Sequence, residues 1–280
     1  MIIIHTPKKL ADILEYSLDD IHSIIDQIKT TPRRVYFSYI DRTRKNGKIK
    51  ERPLDPSRSR LRDIQNRIHE RILKKIPLPT HIMGSTKGKS NIDNAAFHRG
   101  SLFNFQTDLK NFFGFATNKM VFDMLRSYEY SPSVARLLTQ LTTYKGHIPQ
   151  GAPTSSRLAN LVGLNFDAPI LILCKEHSIK YTRYVDDLWF SADHSFKELE
   201  QPILNKIKDC RFLYNHEKTV AKMGTIEGTG VRVHQDGHLS ITKDQQAKLD
   251  KGDLKPTSRK GLESYKRQIA KKNKSASNKK

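Results

Sequence analysis

The sequence contains only two cysteines, Cys174 and Cys210, in 280 residues. Two cysteines can build neither a disulfide framework nor a zinc site with several cysteine ligands, so both classes of small domain are excluded. No apolar run approaches the roughly 18 residues that a membrane span requires, and the apolar start is too short for a signal peptide. We therefore expect a cytoplasmic protein without a membrane partner.

Acidic residues are scarce. The sequence has 29 Asp and Glu and 50 Lys and Arg, which gives a formal net charge of +21. Residues 29–75 contain 16 basic and 5 acidic residues, and residues 243–280 contain 13 and 4. A charge excess of this size favours a polyanionic partner. The sequence thus predicts a nucleic-acid-binding protein with two basic arms, the last ten residues of which we expect to be a disordered tail.

Hydrophobic residues make up 36% of the sequence, enough for a buried core. Apolar spacing predicts helices over 10–28, 61–76, from 132 onward and over 155–177. Alternation predicts strands over 34–40, 48–54, 102–108, 179–184 and 188–192, with hairpin turns at Asn46-Gly47 and Asp236-Gly237. Because helices and strands alternate without regular βαβ spacing, we predict an α+β fold.

Three aspartates are candidate metal ligands. Asp108 ends a predicted strand, and Asp186-Asp187 occupies the turn between two others. An Asp-Asp pair alone is more often turn chemistry, since adjacent carboxylates repel unless water or a cation neutralises them. With a third carboxylate at a strand end, Mg²⁺ becomes the better interpretation, because it prefers oxygen ligands. Such a site suits phosphoryl transfer with two metal ions.

The order of the motifs resembles the palm of a reverse transcriptase. Three segments match motifs A, B and C of that family in order. They are Asp108 with Phe112-Phe113, Pro-Gln-Gly-Ala-Pro at 149–153, and Tyr-Val-Asp-Asp at 184–187. By itself the 149–153 segment is equally an ordinary helix-entry loop.

Two further elements are similar to those of bacterial retron reverse transcriptases. They are Asn-Ala-Ala-Phe-His at 94–98 and Thr229-Gly230. The resemblance covers roughly residues 30–241. Retrons usually have Ala at the position of Val185 and Val at that of Gly228, and the 39 residues after the last hairpin are fewer than in a typical retron thumb.

The resemblance implies a right-hand polymerase, with fingers, palm and short thumb and an antiparallel palm sheet packed on helices. We expect residues 1–100 to form the N-terminal helix and fingers, 101–241 the palm, and 242–280 a short basic thumb or tail. The implied activity is RNA-directed DNA synthesis with dNTPs on a cognate structured non-coding RNA, which serves as template and primer for the cDNA. Anti-phage defence with an effector protein encoded nearby is implied as well.

The resemblance also assigns individual residues. Two Mg²⁺ ions would be held at Asp108, Leu109, Asp186 and Asp187. Lys218 would be an acid that protonates pyrophosphate. The dNTP would contact Arg52, Lys45, Phe113, Gln150 and Gly151, with Phe113 as the aromatic that excludes a 2′-hydroxyl. RNA would be recognised through Asn94, His98, Thr229 and Gly230.

Each of these residues also has a purely structural interpretation. In that interpretation Phe113 is a core aromatic and His98 is a satisfied core histidine. Lys218 and Arg52 are then solvated surface residues. For the whole chain, two alternatives remain: a defence-associated or retron-like reverse transcriptase with another RNA or untemplated synthesis, and a non-catalytic RNA-binding scaffold on a palm fold. Substitution of Asp186 and Asp187 separates the enzyme from the scaffold.

Overall fold

The computed structural model of the protein describes residues 3–45, 48–252 and 254–277. Its helices are α1 (Pro7–Leu14), α2 (Leu18–Thr30), α3 (Ser59–Arg71), α4 (Asn91–Phe97), α5 (Phe112–Phe115), α6 (Asn118–Ser127), α7 (Pro132–Thr142), α8 (Ser155–Glu176), α9 (Glu200–Asp209), α10 (Lys243–Lys251) and α11 (Pro256–Ser277). Its strands are β1 (Tyr39–Lys45), β2 (Lys48–Leu54), β3 (Phe103–Lys110), β4 (Lys180–Tyr184), β5 (Asp187–Ala192), β6 (Leu213–Tyr214), β7 (Val220–Met223), β8 (Ile226–Gly228), β9 (Val231–Val233) and β10 (Leu239–Ile241). Helices combined with antiparallel sheets confirm the predicted α+β class.

The chain divides into two compact units. The first consists of Met1–Leu78 and Asn111–Leu164, and the second of Pro79–Lys110 and Asn165–Lys280. The chain therefore passes between the units three times, and α8 contributes residues to both.

The first unit has a helical core. Helices α1, α2, α3 and α7 pack against one another. Their apolar faces bury Leu10, Leu14, Ile21, Ile64 and Leu138, all of which are fully or almost fully removed from solvent. Burial of this apolar surface is the main favourable contribution to the stability of the unit.

The prediction of a single helix over residues 10–28 is wrong, because two helices occupy this segment. Helix α1 ends at Leu14, and the next residue, Glu15, adopts the left-handed conformation with φ of +53°. Helix α2 begins after Ser17, whose hydroxyl accepts a hydrogen bond from the N–H of Asp20 (3.1 Å). Such a cap satisfies a backbone donor at the start of a helix. Apolar spacing continues across the break and therefore does not reveal it.

The predicted strand over 34–40 is also wrong, since β1 begins only at Tyr39. Pro32–Arg34 instead forms a 3₁₀ turn, in which the N–H of Val35 donates to the carbonyl of Pro32 (3.0 Å). Proline fixes φ and lacks a backbone donor, so it favours a turn over a strand ladder here.

Two antiparallel sheets organise the second unit. Strands β4, β5, β3 and β6 lie side by side in that order, and β7 also pairs with β3. Strands β10, β9 and β8 form a smaller three-stranded sheet. In the larger sheet, Phe105 of β3 lies opposite Phe190 of β5, and both side chains are buried.

The C-terminal segment packs against the smaller sheet, so the expectation of a disordered tail is wrong for residues 271–277, which are helical. Ile269 of α11 is buried in an apolar cluster with Trp189, Ala95 and Val231. A basic composition suggested a solvated tail, but one buried isoleucine and several polar contacts anchor the helix. Residues 278–280 lie outside the described residues.

Within the described residues, one helix, α8, is long and apolar enough to cross a membrane by length and composition. The apolar window of this helix is 61% buried inside the protein. A buried core helix meets the same criteria, and the buried Asp167 and the internal Pro169 fit that assignment.

Candidate active site

Three carboxylates converge at the ends of β3 and β5. Asp108 of β3 lies directly opposite Asp187 of β5 in the antiparallel register, and Asp186 precedes it in the β4–β5 turn. One carboxylate oxygen from each of the three lies within 4.8 Å of the others. Asp108 is buried, whereas Asp186 is half-buried. The structure thus brings together the three aspartates that the sequence singles out.

Hydrogen bonds of the backbone fix this geometry. The N–H of Leu109 donates to the carbonyl of Asp186 (2.8 Å), and the carbonyl of Asp108 accepts from the N–H of Asn215 (2.9 Å). The side chain of Leu109 is buried. The strand end and the turn are therefore joined by the main chain, independently of the carboxylates.

Lys218 places a positive charge at the cluster. Its Nζ lies 2.5 Å from Oδ2 of Asp108, and its side chain is about half exposed at 45%. The residue ends the 3₁₀ turn His216–Lys218, which the Asn215 side chain caps by accepting from the N–H of Glu217 (3.2 Å). An ammonium in this position reduces the repulsion among the aspartates and remains accessible to a substrate.

The donor set fits a hard divalent cation. All side-chain donors of the cluster are carboxylate oxygens, the ligands that Mg²⁺ prefers, and no His or Cys ligand is part of it. Asp108, Asp186 and Asp187 would hold the metal. Leu109 could add only its backbone carbonyl, since its side chain is apolar.

The β4–β5 turn has an unusual backbone at Val185. Its φ is +61°, a left-handed conformation that is rare for a β-branched residue and costs on the order of 1–3 kcal/mol. Gly84 lies so close that a Cβ there would be 2.4 Å from the nitrogen of Val185. Only glycine fits beside this turn, which sets the position of the next residue, Asp186.

A buried ion pair supports the same turn. Nη2 of Arg183 lies 2.8 Å from Oδ2 of Asp167, and both side chains are almost fully buried. Nη1 of Arg183 donates to the carbonyl of Val185 (3.2 Å). The hydroxyl of Tyr181 also donates to Asp167 (2.7 Å), and Nε2 of His81 lies 3.3 Å from this carboxylate.

The electrostatics of this pair favour the charged forms. Burial by itself raises the pKa of the Asp167 carboxyl, but Arg183 and His81 hold the pKa below its usual value. Burial likewise lowers the pKa of Arg183, and Asp167 more than offsets this effect. Sequence analysis missed both residues. An arginine three residues before the Asp186-Asp187 turn and an aspartate inside an apolar helix are the signals that could have suggested the pair.

The predicted RNA-binding residues lie together, although two of them are buried. His98 has no exposed surface, and its ring nitrogens lie 2.7 Å from the hydroxyls of Ser191 and Thr182. Its ring stacks on Trp189 at 4.4 Å between centroids. Burial and Lys180 keep the pKa of His98 well below 6.5, so the ring is neutral. His98 is thus a satisfied core histidine in this structure, and its part in RNA recognition stays a prediction.

Asn94 is buried as well, and its amide donates to the hydroxyl of Thr229 (3.4 Å). Asn91 donates to the carbonyl of Thr229 (2.8 Å) and to the hydroxyl of Tyr265 (2.6 Å). The Tyr265 hydroxyl donates in turn to the carbonyl of Gly230 (3.2 Å). These bonds join α4, the β8–β9 turn and α11, and a direct RNA contact by any of them stays a prediction.

Gly228 precedes this turn. A Cβ at Gly228 would lie 2.2 Å from Nε2 of Gln106 and 2.6 Å from the ring of Trp189. The residues around Gly228 leave no space for the valine that is usual in retrons. Packing therefore accounts for glycine at this position.

The predicted dNTP-binding residues belong to the first unit. Arg52 is exposed and lies opposite Asp41 in the β1–β2 hairpin, whose second strand matches the prediction for 48–54. The backbone of Lys45 pairs with Lys48. The side chain of Lys45 and the Asn46-Gly47 turn lie outside the described residues.

The remaining predicted dNTP-binding residues lie in α5 (Phe113) and in the segment before α8 (Gln150 and Gly151). The ring of Phe113 is half-buried and meets that of the buried Phe112 edge-on, 6.0 Å between centroids. The carbonyl of Gln150 accepts from the N–H of Asp55 (2.8 Å). Gly151 has a φ of +95°, a conformation that favours glycine, and a Cβ there would lie 3.4 Å from the Cβ of Pro56.

Comparison with solved structures defines the fold class. The structure of Candida albicans telomerase, in complex with a fragment of telomeric RNA, aligns with a TM-score of 0.55 and 11% identity, over 76% of this chain and 48% of the telomerase chain. This similarity confirms the predicted right-hand polymerase fold.

Sequence comparison shows which reverse transcriptases the chain is similar to. The Retron Se72 reverse transcriptase of Salmonella heidelberg is 29% identical over 220 residues, which cover 76% of this chain and 58% of the relative. The Retron Ec86 reverse transcriptase of Escherichia coli is 36% identical over 137 residues, or 49% of this chain and 42% of the relative. No protein-family model matches. The chain spans about half the length of these relatives, and its predicted relationship to the retron reverse transcriptases is confirmed.

Proposed function

We propose that the protein is an RNA-directed DNA polymerase of the retron type. The observation that carries the proposal is the cluster of Asp108, Asp186 and Asp187, whose oxygens lie within 4.8 Å of one another. Relatives that are named retron reverse transcriptases support the reaction class. The substrates would be dNTPs and a structured non-coding RNA, which is both template and primer of the cDNA.

In the proposed reaction a ribose or deoxyribose hydroxyl attacks the α-phosphate of a dNTP. The new phosphodiester bond forms as the bond to pyrophosphate breaks. Two bound Mg²⁺ ions would supply charge neutralisation and lower the pKa of the attacking hydroxyl. The three aspartates would bind the ions, and Lys218, at 2.5 Å from Asp108, would give a proton to the leaving pyrophosphate.

The first unit would supply the groups that bind the nucleotide. Arg52 would bind the triphosphate, because a guanidinium fork matches phosphate oxygens and, within the described residues, Arg52 forms no ion pair. Lys45 would assist it. The half-buried ring of Phe113 would exclude a 2′-hydroxyl, and Gln150 with Gly151 would line the base pocket.

The proposal keeps the predicted division into fingers (1–100), palm (101–241) and a short thumb (242–280). It also includes a cytoplasmic location and a role in anti-phage defence with an effector protein encoded nearby. These parts rest on the relationship to retrons alone.

The test is to purify the protein from cells that carry its native flanking DNA and to analyse the co-purified nucleic acid with and without RNase. We expect discrete DNA joined to RNA, absent from an Asp186→Asn, Asp187→Asn variant. The matched control is Asp193→Asn, an exposed aspartate just after β5. RNA alone, unchanged in the double variant and without Mg²⁺-dependent dNTP incorporation, would indicate the scaffold function instead.

A further inference from the structure

A cavity lies in the second unit, and none of the three aspartates lines it. It has a volume of about 390 Å³ and lies between the β9–β10 strands and helices α10 and α11. We name it the Arg232 pocket, after the arginine of β9 that lines it. Volumes of this order are typical of sites for small organic ligands.

Arg232 is the feature of the pocket that lacks an explanation within the protein. Its Nε is buried and has no hydrogen-bond partner in the described part of the chain. The carboxylate opposite it in the register, Glu227, instead accepts a hydrogen bond from the N–H of Lys243 (3.0 Å). Buried polar groups are nearly always satisfied, so an unpaired guanidinium nitrogen indicates an absent acceptor.

The charges around the pocket indicate that this acceptor is anionic. Arg232, Lys243 and Lys266 line it, and among the described residues one carboxylate, that of Asp250, lines it as well. Asp250 already accepts a hydrogen bond from the amide of Gln246 (2.7 Å). A phosphate group would satisfy the guanidinium through charge-assisted hydrogen bonds and would balance the excess positive charge.

The floor of the pocket is apolar. Leu239, Ile241 and Ile269 lie at its base, each at most 5% exposed, and the exposed Ala247 of α10 and Ala270 of α11 add apolar surface beside them. A bare phosphate would gain nothing from contact with apolar side chains. A nucleotide has a flat base that packs on apolar side chains and a phosphate that binds basic residues such as Arg232 and Lys266. Base pairing would keep the base out of the pocket, so the nucleotide must be unpaired.

We propose that the Arg232 pocket binds one unpaired nucleotide of the RNA partner, with its phosphate at Arg232 and Lys266 and its base on the apolar floor. The inference rests on the proposed function insofar as RNA is the partner. It adds a site that is separate from the aspartate cluster and that would hold the RNA on the C-terminal helices.

Two adjacent residues of α11 provide a matched test. Lys266 lines the pocket, and Arg267, also exposed, does not. We would measure the affinity of the 280-residue protein for a single-stranded oligoribonucleotide of mixed sequence by fluorescence anisotropy at several salt concentrations. Arg232→Gln and Lys266→Gln should each weaken binding about tenfold and reduce the salt slope by about 1. Arg267→Gln should weaken it less than about twofold.

Photocrosslinking locates the contact independently of affinity. The same oligoribonucleotide with 4-thiouridine should crosslink to residues of the pocket floor in the wild type and not in Arg232→Gln, with thermal unfolding confirming that the variant is folded. Equal RNA affinity of Arg232→Gln, Lys266→Gln and Arg267→Gln would overturn the proposal. Binding of uridine 5′-monophosphate that depends on Arg232, combined with RNA binding that does not, would overturn the RNA assignment in favour of a free nucleotide.

Assays of dNTP incorporation separate this inference from the proposed function. If the wild type extends a supplied template-primer while Arg232→Gln binds RNA normally, only the pocket assignment fails. If the wild type neither binds RNA nor incorporates dNTPs, the proposed function itself fails.

Discussion

Asp108 and Asp187 are direct cross-strand partners in the antiparallel pair of β3 and β5. Side chains at such positions are about 4.5–5.5 Å apart at Cβ, and like charges placed there destabilise a sheet. Asp186 adds a third carboxylate, and the Lys218 ammonium contacts Asp108. The clustered carboxylates should cost stability in the free protein and become favourable if cations bind, a pattern typical of functional sites.

Asp187→Asn should therefore separate stability from activity. Without metal, the free energy of unfolding should rise by about 0.2–1 kcal/mol, because a like-charge contact is removed. dNTP incorporation should fall at least about 100-fold, because a metal ligand is lost. Urea unfolding in EDTA and in MgCl₂ measures the first effect, and Mg²⁺ should stabilise the wild type more than the variant. Asp193→Asn is the control, and a destabilised Asp187→Asn protein in EDTA would contradict the prediction.

The buried pair of Arg183 and Asp167 should be a large contributor to folding. Asp167→Asn leaves the guanidinium without its counter-charge in a buried site, which should lower the free energy of unfolding by about 3–5 kcal/mol. The control is Glu263→Gln, which breaks an exposed pair with Arg259 and should cost less than about 0.5 kcal/mol. Urea denaturation compares the two variants, and equal midpoints would refute the assignment.

The sequence predicted most of the elements that carry the aspartates. The predicted strands over 102–108, 179–184 and 188–192 agree with β3, β4 and β5 to within two residues. Alternation and a tight turn suffice there, because local pattern and burial agree. The N-terminal break at Glu15 and the docking of α11 were missed, since both depend on a backbone conformation or on tertiary contacts that the residue pattern does not contain.

The local sequence pattern also predicted part of the aspartate site. Asp108, Asp186 and Asp187 stand out by type and order. Arg183, Asp167 and Gly84 act through contacts between residues distant in sequence, so no local pattern identifies them.

Gly84→Ala tests whether this close contact positions the turn. The new Cβ would lie 2.4 Å from the nitrogen of Val185, so the backbone of the turn must move. We expect lower stability by at least about 1 kcal/mol and weaker Mg²⁺ binding, measured by calorimetry. Gly261→Ala is the matched control, because a Cβ there meets nothing within 4 Å, and a helical alanine should stabilise by about 0.5–1 kcal/mol. Unchanged Mg²⁺ affinity in Gly84→Ala would show that the turn does not depend on it.

His98 should make folding sensitive to mild acid. Its pKa in the folded protein is held well below 6.5 by burial and by Lys180, so below about pH 6.5 the unfolded chain binds a proton that the folded protein does not. The free energy of unfolding should therefore be unaffected above this pH and fall as the pH decreases below it, by at most about 1.4 kcal/mol per pH unit for one histidine.

His98→Gln should remove that component of the slope between pH 6.5 and 5, whatever its effect on stability at pH 8. Glutamine can still hydrogen-bond to Ser191 or Thr182 but does not titrate in this range. Urea unfolding at half-unit pH intervals measures the slope, and His216→Gln, at an exposed histidine, is the control. A slope that persists in His98→Gln and disappears in His216→Gln would assign the acid sensitivity to the surface instead of to the core beneath β5.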